Sequence, residues 1–176
     1  MKSKSRKDPN CRTIIFEVTY LGTLGTGWKR VISRVIELKE TQTLVDLHNA
    51  IQDSIGWTDP HLYAFFMDGE VWGRDLNQEY LAPSMYRALH GKKAMLPVDF
   101  MWYPTENFLW HMERRPRGAD TQIKKLMLRR GRRFLYLFDF GDQHHFKIKV
   151  IGFGEAKKGE KYPKLVGSAG KPPHQY

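Results

Sequence analysis

The sequence predicts one small α+β domain with a strong positive charge. Two segments near the N-terminus alternate apolar and polar residues, and a helical stripe of apolar residues follows them. A later aromatic segment, from Phe134 to Val150, has the pattern of two strands joined by a tight turn. The 176 residues suffice for one core, whereas two full domains usually need roughly 100 to 200 residues each.

The first two strands form a predicted hairpin. Between Thr13 and Leu21 the apolar residues occupy every second position, which is the period of a half-buried strand. The segment 22–27 contains three glycines, which turn without a steric penalty. The alternation then resumes from Trp28 to Leu38, so the second strand is expected to pair with the first.

The main helix is predicted to begin after Thr43. Thr43 and Asp46 have the spacing of a capping box, and Gly56 supplies a C-terminal stop. The apolar stripe between them consists of Leu44, Leu47, Ile51 and Ile55. An aromatic strand is expected from His61 to Met67, and Asp68-Gly69 is expected to turn the chain toward a further strand at Val71 and Trp72.

Residues 74–118 are interpreted as an insertion, because four prolines interrupt any long periodicity. The pattern predicts a short helix from Pro83 to His90 and a strand near 98–103. Asp120 or Thr121 is expected to cap another short helix that runs through Leu128. A basic turn at Arg129–Arg133 then leads into the final hairpin.

The turn of the final hairpin contains Asp139-Phe140-Gly141-Asp142. Gly141 is expected to take a positive φ, and the Asp142 side chain to accept a bond from a neighbouring backbone amide. Protein kinases use the same Asp-Phe-Gly triplet to bind magnesium, but this chain is too short for that fold and lacks the kinase catalytic loop. The turn is therefore interpreted as structural.

The two ends of the chain are predicted to lie outside the domain. Residues 1–12 are a flexible basic arm with no apolar signal region, 13–153 form the domain, and 154–176 are a tail rich in Gly, Lys and Pro without a regular element. No apolar run approaches the roughly 18 residues that span a bilayer. With Cys11 as the single cysteine, no intrachain disulfide is possible, which fits a reducing cytoplasm.

Three segments in this order resemble one family: LHNAIQDSIGWTDPHLYAFFMDG at 47–69, FLYLFDFGDQHHFKIKV at 134–150, and KYPKLVGSAGKPP at 161–173. They are similar to the plasmid pRiA4b open-reading-frame-three-like family, also called transposon passenger TnpR-like proteins. An early Trp28-Lys29-Arg30-Val31 element fits as well. The first segment matches the family pattern at Leu47, His48, Ile51, Gln52, Gly56, Trp57, Asp59, His61 and Leu62.

The chain departs from the family pattern at several positions. His144 stands where the family prefers Trp, Phe146 where it prefers His, and the segment 172–175 lacks the acidic pair and the cysteine of the usual ending. The resemblance implies a β-grasp-like mixed sheet packed on one main helix, with an inserted segment and a C-terminal hairpin. It implies a protein of plasmids, phages or transposons, and neither catalytic residues nor a cofactor.

One polar cluster is a candidate site. If the final hairpin lies beside the strand that begins at His61, then His61, Asp139, Asp142 and His144 supply imidazoles and carboxylates of the kind that bind divalent ions. The spacing is no metal signature, and His144 and His145 would point to opposite faces of a strand. We expect no resident metal, and a metal-dependent hydrolase stays the least favoured alternative.

The basic residues indicate a polyanionic partner. The chain carries 29 Lys and Arg against 19 Asp and Glu, for a net charge of +10. The candidate nucleic-acid-binding residues are Lys29, Arg30, Arg114, Arg115, Arg117, Lys124, Lys125, Arg129, Arg130, Arg132 and Arg133, with Trp102 and Trp110 as candidates for base stacking. The alternative interpretation is a solvated face above a core that contains these aromatic residues.

The predicted function is that of a non-enzymatic accessory protein of a mobile genetic element. It is expected to act in the cytoplasm, away from membranes, and to bind nucleic acid or a nucleoprotein complex through the basic surface. The alternative from another class is a protein-interaction module, either an adaptor or an inhibitor, that pairs with its partner through an exposed edge strand.

Overall fold

A computed structural model describes residues 11–23, 26–27, 31–73, 75–90 and 116–175, with the backbone alone at 26, 27 and 76. Two short 3₁₀ helices, Leu76–Gln78 and Ile123–Leu126, accompany the longer elements. In chain order these are β1 (Arg12–Thr23), β2 (Thr26–Gly27), β3 (Ser33–Lys39), α1 (Leu44–Ile55), β4 (Tyr63–Phe66), β5 (Glu79–Leu81), α2 (Pro83–His90), β6 (Arg117–Gly118), β7 (Arg133–Phe138), β8 (His144–Glu155) and β9 (Lys164–Ala169).

The strands of the described residues form one sheet, which confirms the α+β class. The strand order is β6-β5-β4-β7-β8-β1-β3-β9, with β2 paired to β1 beyond this path. The pairs are antiparallel except β5 with β6. The predicted hairpin of β1 with β3 is confirmed, and so is the final hairpin of β7 with β8. None of the helices described here is long and apolar enough to cross a membrane.

An aromatic row crosses five neighbouring strands on one face of the sheet. Its members are paired directly across the strands in the order Tyr20, Phe146, Tyr136, Phe65 and Tyr80. The ring centroids of Tyr136 lie 5.3 Å from Phe146 and 4.8 Å from Phe65. All five side chains are buried, so the alternation seen in the sequence belongs to the face that packs on the core.

The helix α1 has the predicted ends and the predicted buried stripe. The Thr43 backbone N–H donates to Asp46 Oδ2 at 2.7 Å, and the Asp46 N–H donates to Thr43 Oγ1 at 3.3 Å, which completes the capping box. Gly56 ends the helix with φ 75°. Leu44, Leu47, Ile51 and Ile55 are buried. Caps of this kind stabilise a helix by about 1 kcal/mol.

A buried guanidinium joins α1 to the C-terminal strand. Arg34 Nε donates to the Ser54 carbonyl at 2.9 Å, and Nη1 donates to the carbonyls of Ser33 at 2.8 Å and Ala169 at 3.0 Å. Ser54 lies in the last turn of the helix, where carbonyls lack helical partners and the dipole favours a cation. Arg34 therefore satisfies backbone oxygens of the helix and of β9 together.

The strand expected at Val71 and Trp72 is a wrong prediction. Both residues lie in a turn, where Trp72 has φ 55° and packs edge-on against Phe66 at 4.9 Å. The next strand along the chain is β5, which pairs with β4 and lies inside the stretch interpreted as an insertion. The helix predicted from Pro83 to His90 is confirmed as α2. The strand predicted near 98–103 lies outside the described residues.

The 154–176 segment is not devoid of regular structure, which corrects the prediction of a simple tail. β8 continues to Glu155, and residues Lys164–Ala169 form β9 at the edge of the sheet. Leu165 and Val166 are half-exposed, so β9 shows no buried alternation that its sequence could reveal. Most of the predicted basic arm, residues 1–10, lies outside the described residues.

The short helix predicted through Leu128 is a 3₁₀ helix of four residues. It begins after Gln122, which makes no capping bond with its side chain, so the capping expected of Asp120 or Thr121 is not observed. The Thr121 hydroxyl instead donates to the Gly118 carbonyl at 2.8 Å. Met127 ends the helix with φ 46°.

We expect Gly170→Ala to destabilise the fold more than Gly159→Ala does. Both glycines have positive φ, which costs an alanine about 1–2 kcal/mol. A Cβ at Gly159 would meet open space, whereas a Cβ at Gly170 would meet the Val31 carbonyl oxygen, an overpacking that adds about 1–3 kcal/mol. Thermal unfolding of the two variants measures the difference, and equal melting temperatures would contradict this packing.

Candidate nucleic-acid interface

The turn of the final hairpin is held by Asp139. Asp139 and Gln143 take positive φ values of 55° and 53°, whereas Gly141 does not. Asp139 Oδ1 accepts hydrogen bonds from the backbone N–H groups of Gly141 at 2.9 Å and Asp142 at 3.4 Å. The roles predicted for Gly141 and Asp142 therefore both belong to Asp139, whose short polar side chain tolerates the left-handed conformation.

The predicted polar cluster assembles beside this turn and gains one member. His61 Nδ1 lies 3.5 Å from Asp139 Oδ2, and His144 Nδ1 lies 2.9 Å from the hydroxyl of Tyr20. Burial lowers the pKa of His144, while burial and the Asp142 charge raise the pKa of Tyr20 to about 12. The Tyr20 hydroxyl therefore stays protonated in its hydrogen bond with His144. The alternation of β1 marked Tyr20 as core and gave no sign of this bond.

The cluster has the character of an aromatic packing site. His144 is buried, with its ring 4.6 Å from that of Trp57 and 6.4 Å from that of Phe138. Across the described ranges, no three His, Cys, Asp or Glu side chains are grouped to hold a metal ion. His144 lies on the core face of β8 and His145 on the other face, as predicted.

The family motif on α1 supplies a buried polar network. Gln52 Nε2 donates to the Tyr136 hydroxyl at 2.9 Å, and that hydroxyl lies 2.6 Å from His48 Nδ1, to which it donates. The His48 ring also stacks on Tyr63 with centroids 3.7 Å apart. Burial lowers the pKa of His48 to about 4, so the imidazole is neutral. Because the Tyr136 hydroxyl already accepts from Gln52, its own hydrogen is directed to His48 Nδ1.

A groove of about 450 Å³ lined by basic residues lies near the edge of the sheet opposite β9. We call it the basic groove. Four of its lining residues are cationic, and its described lining contains no carboxylate. The lining consists of Met67, Asn77, Gln78, Tyr80, Arg117, Lys125, Leu126, Met127, Leu128, Arg129 and Arg132.

Different elements place the four cations. Arg117 lies in the edge strand β6, and its Nη1 donates to the Tyr80 hydroxyl at 3.3 Å. Arg132 Nη2 donates to the Met67 carbonyl at 2.8 Å from the loop before β7. Lys125, in the second 3₁₀ helix, and Arg129, in the loop that follows, have exposed side chains. The groove thus combines two anchored guanidinium groups with two solvated cations.

The other predicted basic residues are placed less closely. Lys124 and Arg130 are exposed beside lining residues, and Arg133 begins β7 opposite Lys149. Outside the described residues lie Lys29, Arg30, Arg114, Arg115, Trp102 and Trp110. Sequence reasoning missed Asn77 and Gln78, because their positions next to the cations depend on the path of the chain around β5. It also missed Met127, which lies between Lys125 and Arg129 in the sequence but carries no charge that would mark it.

The protonation of His48 is expected to destabilise the fold at acid pH. The folded pKa is about 4 and the ordinary value is 6.5, so the unfolded chain binds an extra proton between these pH values. Stability is therefore full above about pH 6.5 and falls as the pH drops toward 4, by about 3 kcal/mol from this group. Urea unfolding between pH 7 and pH 4 measures the slope of the unfolding free energy against pH.

His48→Gln should reduce that slope, whereas His174→Gln, at an exposed position, should leave it unchanged. Comparing slopes removes any constant loss of stability in either variant. A slope in His48→Gln equal to that of the unsubstituted protein would contradict the assignment of a neutral buried imidazole.

Comparisons with known proteins agree with the fold and the motif. The chain is similar to a crystal structure described as a protein of unknown function, MM3350 from Methanosarcina mazei Go1, with a TM-score of 0.61 and 19% identity over 95% of this chain and 75% of that one. At this identity the likeness shows the fold alone. No curated protein matches the chain. The family model of the plasmid pRiA4b ORF-3-like proteins matches residues 24–175, and the chain therefore belongs to that family.

Proposed function

We propose that this protein binds nucleic acid, alone or within a nucleoprotein complex, through the basic groove. The observation that carries the proposal is the grouping of Arg117, Lys125, Arg129 and Arg132 around one concavity whose described lining has no carboxylate. Cations that replace condensed counterions on a phosphate backbone gain affinity from counterion release. The net charge of +10 adds long-range attraction for a polyanion.

The setting of this proposal is a mobile genetic element. Membership of a plasmid protein family supports that setting, and within it we propose a cytoplasmic, non-enzymatic accessory role. The β-grasp-like arrangement expected from the resemblance is retained as part of this proposal. It is supported by the packing of α1 across one face of the sheet, through His48 and Gln52.

Reversing the two solvated cations should weaken binding. We expect the double variant Lys125→Glu/Arg129→Glu to bind fluorescein-labelled DNA or RNA at least tenfold more weakly at low salt, with a shallower dependence on salt concentration. Fluorescence anisotropy with single-stranded DNA, duplex DNA and RNA of 20 nucleotides measures both effects.

The matched control is Lys158→Glu/Lys171→Glu, which changes the net charge equally at exposed positions flanking β9. This control should lose much less affinity than the groove variant. Equal losses in the two double variants would assign binding to net charge alone, and no binding to any of the three probes would refute the proposed function.

A second candidate function is the docking of a protein partner at β9. This strand ends the strand order, with Leu165 50% and Val166 46% exposed. Beside it, a groove of about 330 Å³ runs between α1 and β9, lined by Ile36, Asp46, Asn49, Ala50, Asp53, Ser54, Pro163 and Leu165. The lining contains two acidic residues, Asp46 and Asp53, although the chain as a whole is basic. These acids favour a basic partner segment.

The geometry of β9 favours a selective partner over indiscriminate pairing. The register of β3 with β9 shifts between Val35 and Ile36, so Val166 is an extra residue in the ladder. Such bulges at an edge oppose aggregation. An extended segment would pair with part of the strand and place alternate side chains in the groove beside Leu165.

Selection from a random dodecapeptide display library tests this docking. We expect enriched peptides to alternate apolar residues with Lys or Arg, and to bind Asp53→Lys at least tenfold more weakly than Asp59→Lys. Asp59 serves as the control because it is also an exposed acid but does not line the groove. Failure to enrich basic peptides, or equal effects of the two variants, would refute the docking.

A further inference from the structure

We infer that the basic groove holds the base of one unstacked nucleotide, so that its partner is a single strand or a strand end and not the backbone of an intact duplex. This inference rests on the proposed function and names the form of nucleic acid that the site takes. Three features of the lining carry it: a group of apolar side chains, two side-chain amides and one exposed methionine.

The lining of the groove contains apolar side chains beside its four cations. Among the lining residues, Met67 is buried, and Leu126 and Leu128 are half-buried. Phosphates of a duplex can be bound by a flat or convex basic surface, and such binding would leave an apolar cavity empty. The cavity of about 450 Å³ lies in the range of small-molecule pockets, roughly 300 to 1,000 Å³.

The two amides belong to Asn77 and Gln78 in the first 3₁₀ helix. Their backbone groups are used within the fold, because the Gln78 N–H donates to the Asp75 carbonyl at 3.1 Å and the Gln78 carbonyl accepts from Met67 N–H at 2.8 Å. Neither side-chain amide bonds another residue in the described part of the chain. Each carries donors and an acceptor, the complement of a base edge that is free of its pairing partner.

The exposed methionine is Met127. It is 84% exposed, and its φ of 46° is uncommon for any residue other than glycine. Its backbone N–H donates to the Lys124 carbonyl at 3.3 Å, which fixes the position from which the side chain leaves the chain. A polarizable thioether makes favourable contacts with aromatic rings, and apolar side chains of this kind separate stacked bases.

These features fit the three parts of a nucleotide. Met127 and the two leucines would pack on the base, Asn77 and Gln78 would bond its edge, and the surrounding cations would bind the adjoining phosphates. A free nucleotide offers the same chemistry as a nucleotide within a strand. The experiment therefore includes both.

The test uses a 15-nucleotide DNA with a central 2-aminopurine, whose fluorescence rises when the base leaves the stack. We expect the full-length protein to raise this fluorescence, and to bind the single strand at least tenfold more tightly than its duplex at the same salt concentration. Met127→Ala should lose at least half of the fluorescence rise, and so should Asn77→Ala/Gln78→Ala. Met127→Gly, which accommodates the positive φ, should behave like Met127→Ala if the side chain matters.

Val31→Ala is the matched control, because Val31 is also an exposed apolar residue, at 74%, and lies outside the groove. It should retain the fluorescence rise. Equal binding of single strand and duplex without a rise would overturn the inference and leave the proposed function intact, whereas no binding of any nucleic acid would overturn both. Binding of adenosine monophosphate in place of the strand would identify a free-nucleotide pocket and overturn the strand assignment.

Discussion

The hydroxyl of Tyr136 imposes the constraint on which the rest of the fold depends. Tyr136 lies at the middle of the aromatic row and is fully buried, so its hydroxyl needs partners inside the core. The neighbouring strands offer only apolar and aromatic side chains at that level, and the partners come from α1. His48 and Gln52 are one turn apart on the helix, and both reach the same oxygen. Their bonds fix which face of α1 meets the sheet.

This constraint explains why the motif on α1 is so specific in the sequence. Leu47 and Ile51 only need to be apolar, and other residues of similar size would serve there. His48 and Gln52 must instead present an acceptor and a donor at one point, and burial must keep the imidazole neutral. The segment that identifies the family therefore encodes how the helix docks.

Much of the fold could be predicted from local patterns, because β1, α1, α2 and the β7–β8 hairpin each carry their own periodicity or caps. β5 and β9 could not be predicted in this way. The three residues of β5 are all buried and too few to alternate, whereas β9 is an edge strand that buries too little of its surface to produce an alternation. The candidate site was likewise predictable only in part. The run of cations was visible in the sequence, but the cavity between them, with Asn77 and Gln78, arises only when β5 lies beside the loop that ends in Arg132.

In the strand order, β8 joins the two halves of the sheet, because it pairs with β7 on one side and with β1 on the other. On one side of β8 lie β6, β5, β4 and β7, and on the other side lie β1, β3 and β9. β1 and β8 are neighbours in the sheet, although α1, β4, β5 and other elements lie between them along the chain. During synthesis, the two halves of the sheet therefore remain unconnected until the residues from His144 onward have emerged. Until then, the edge of β1 that pairs with β8 has no neighbouring strand.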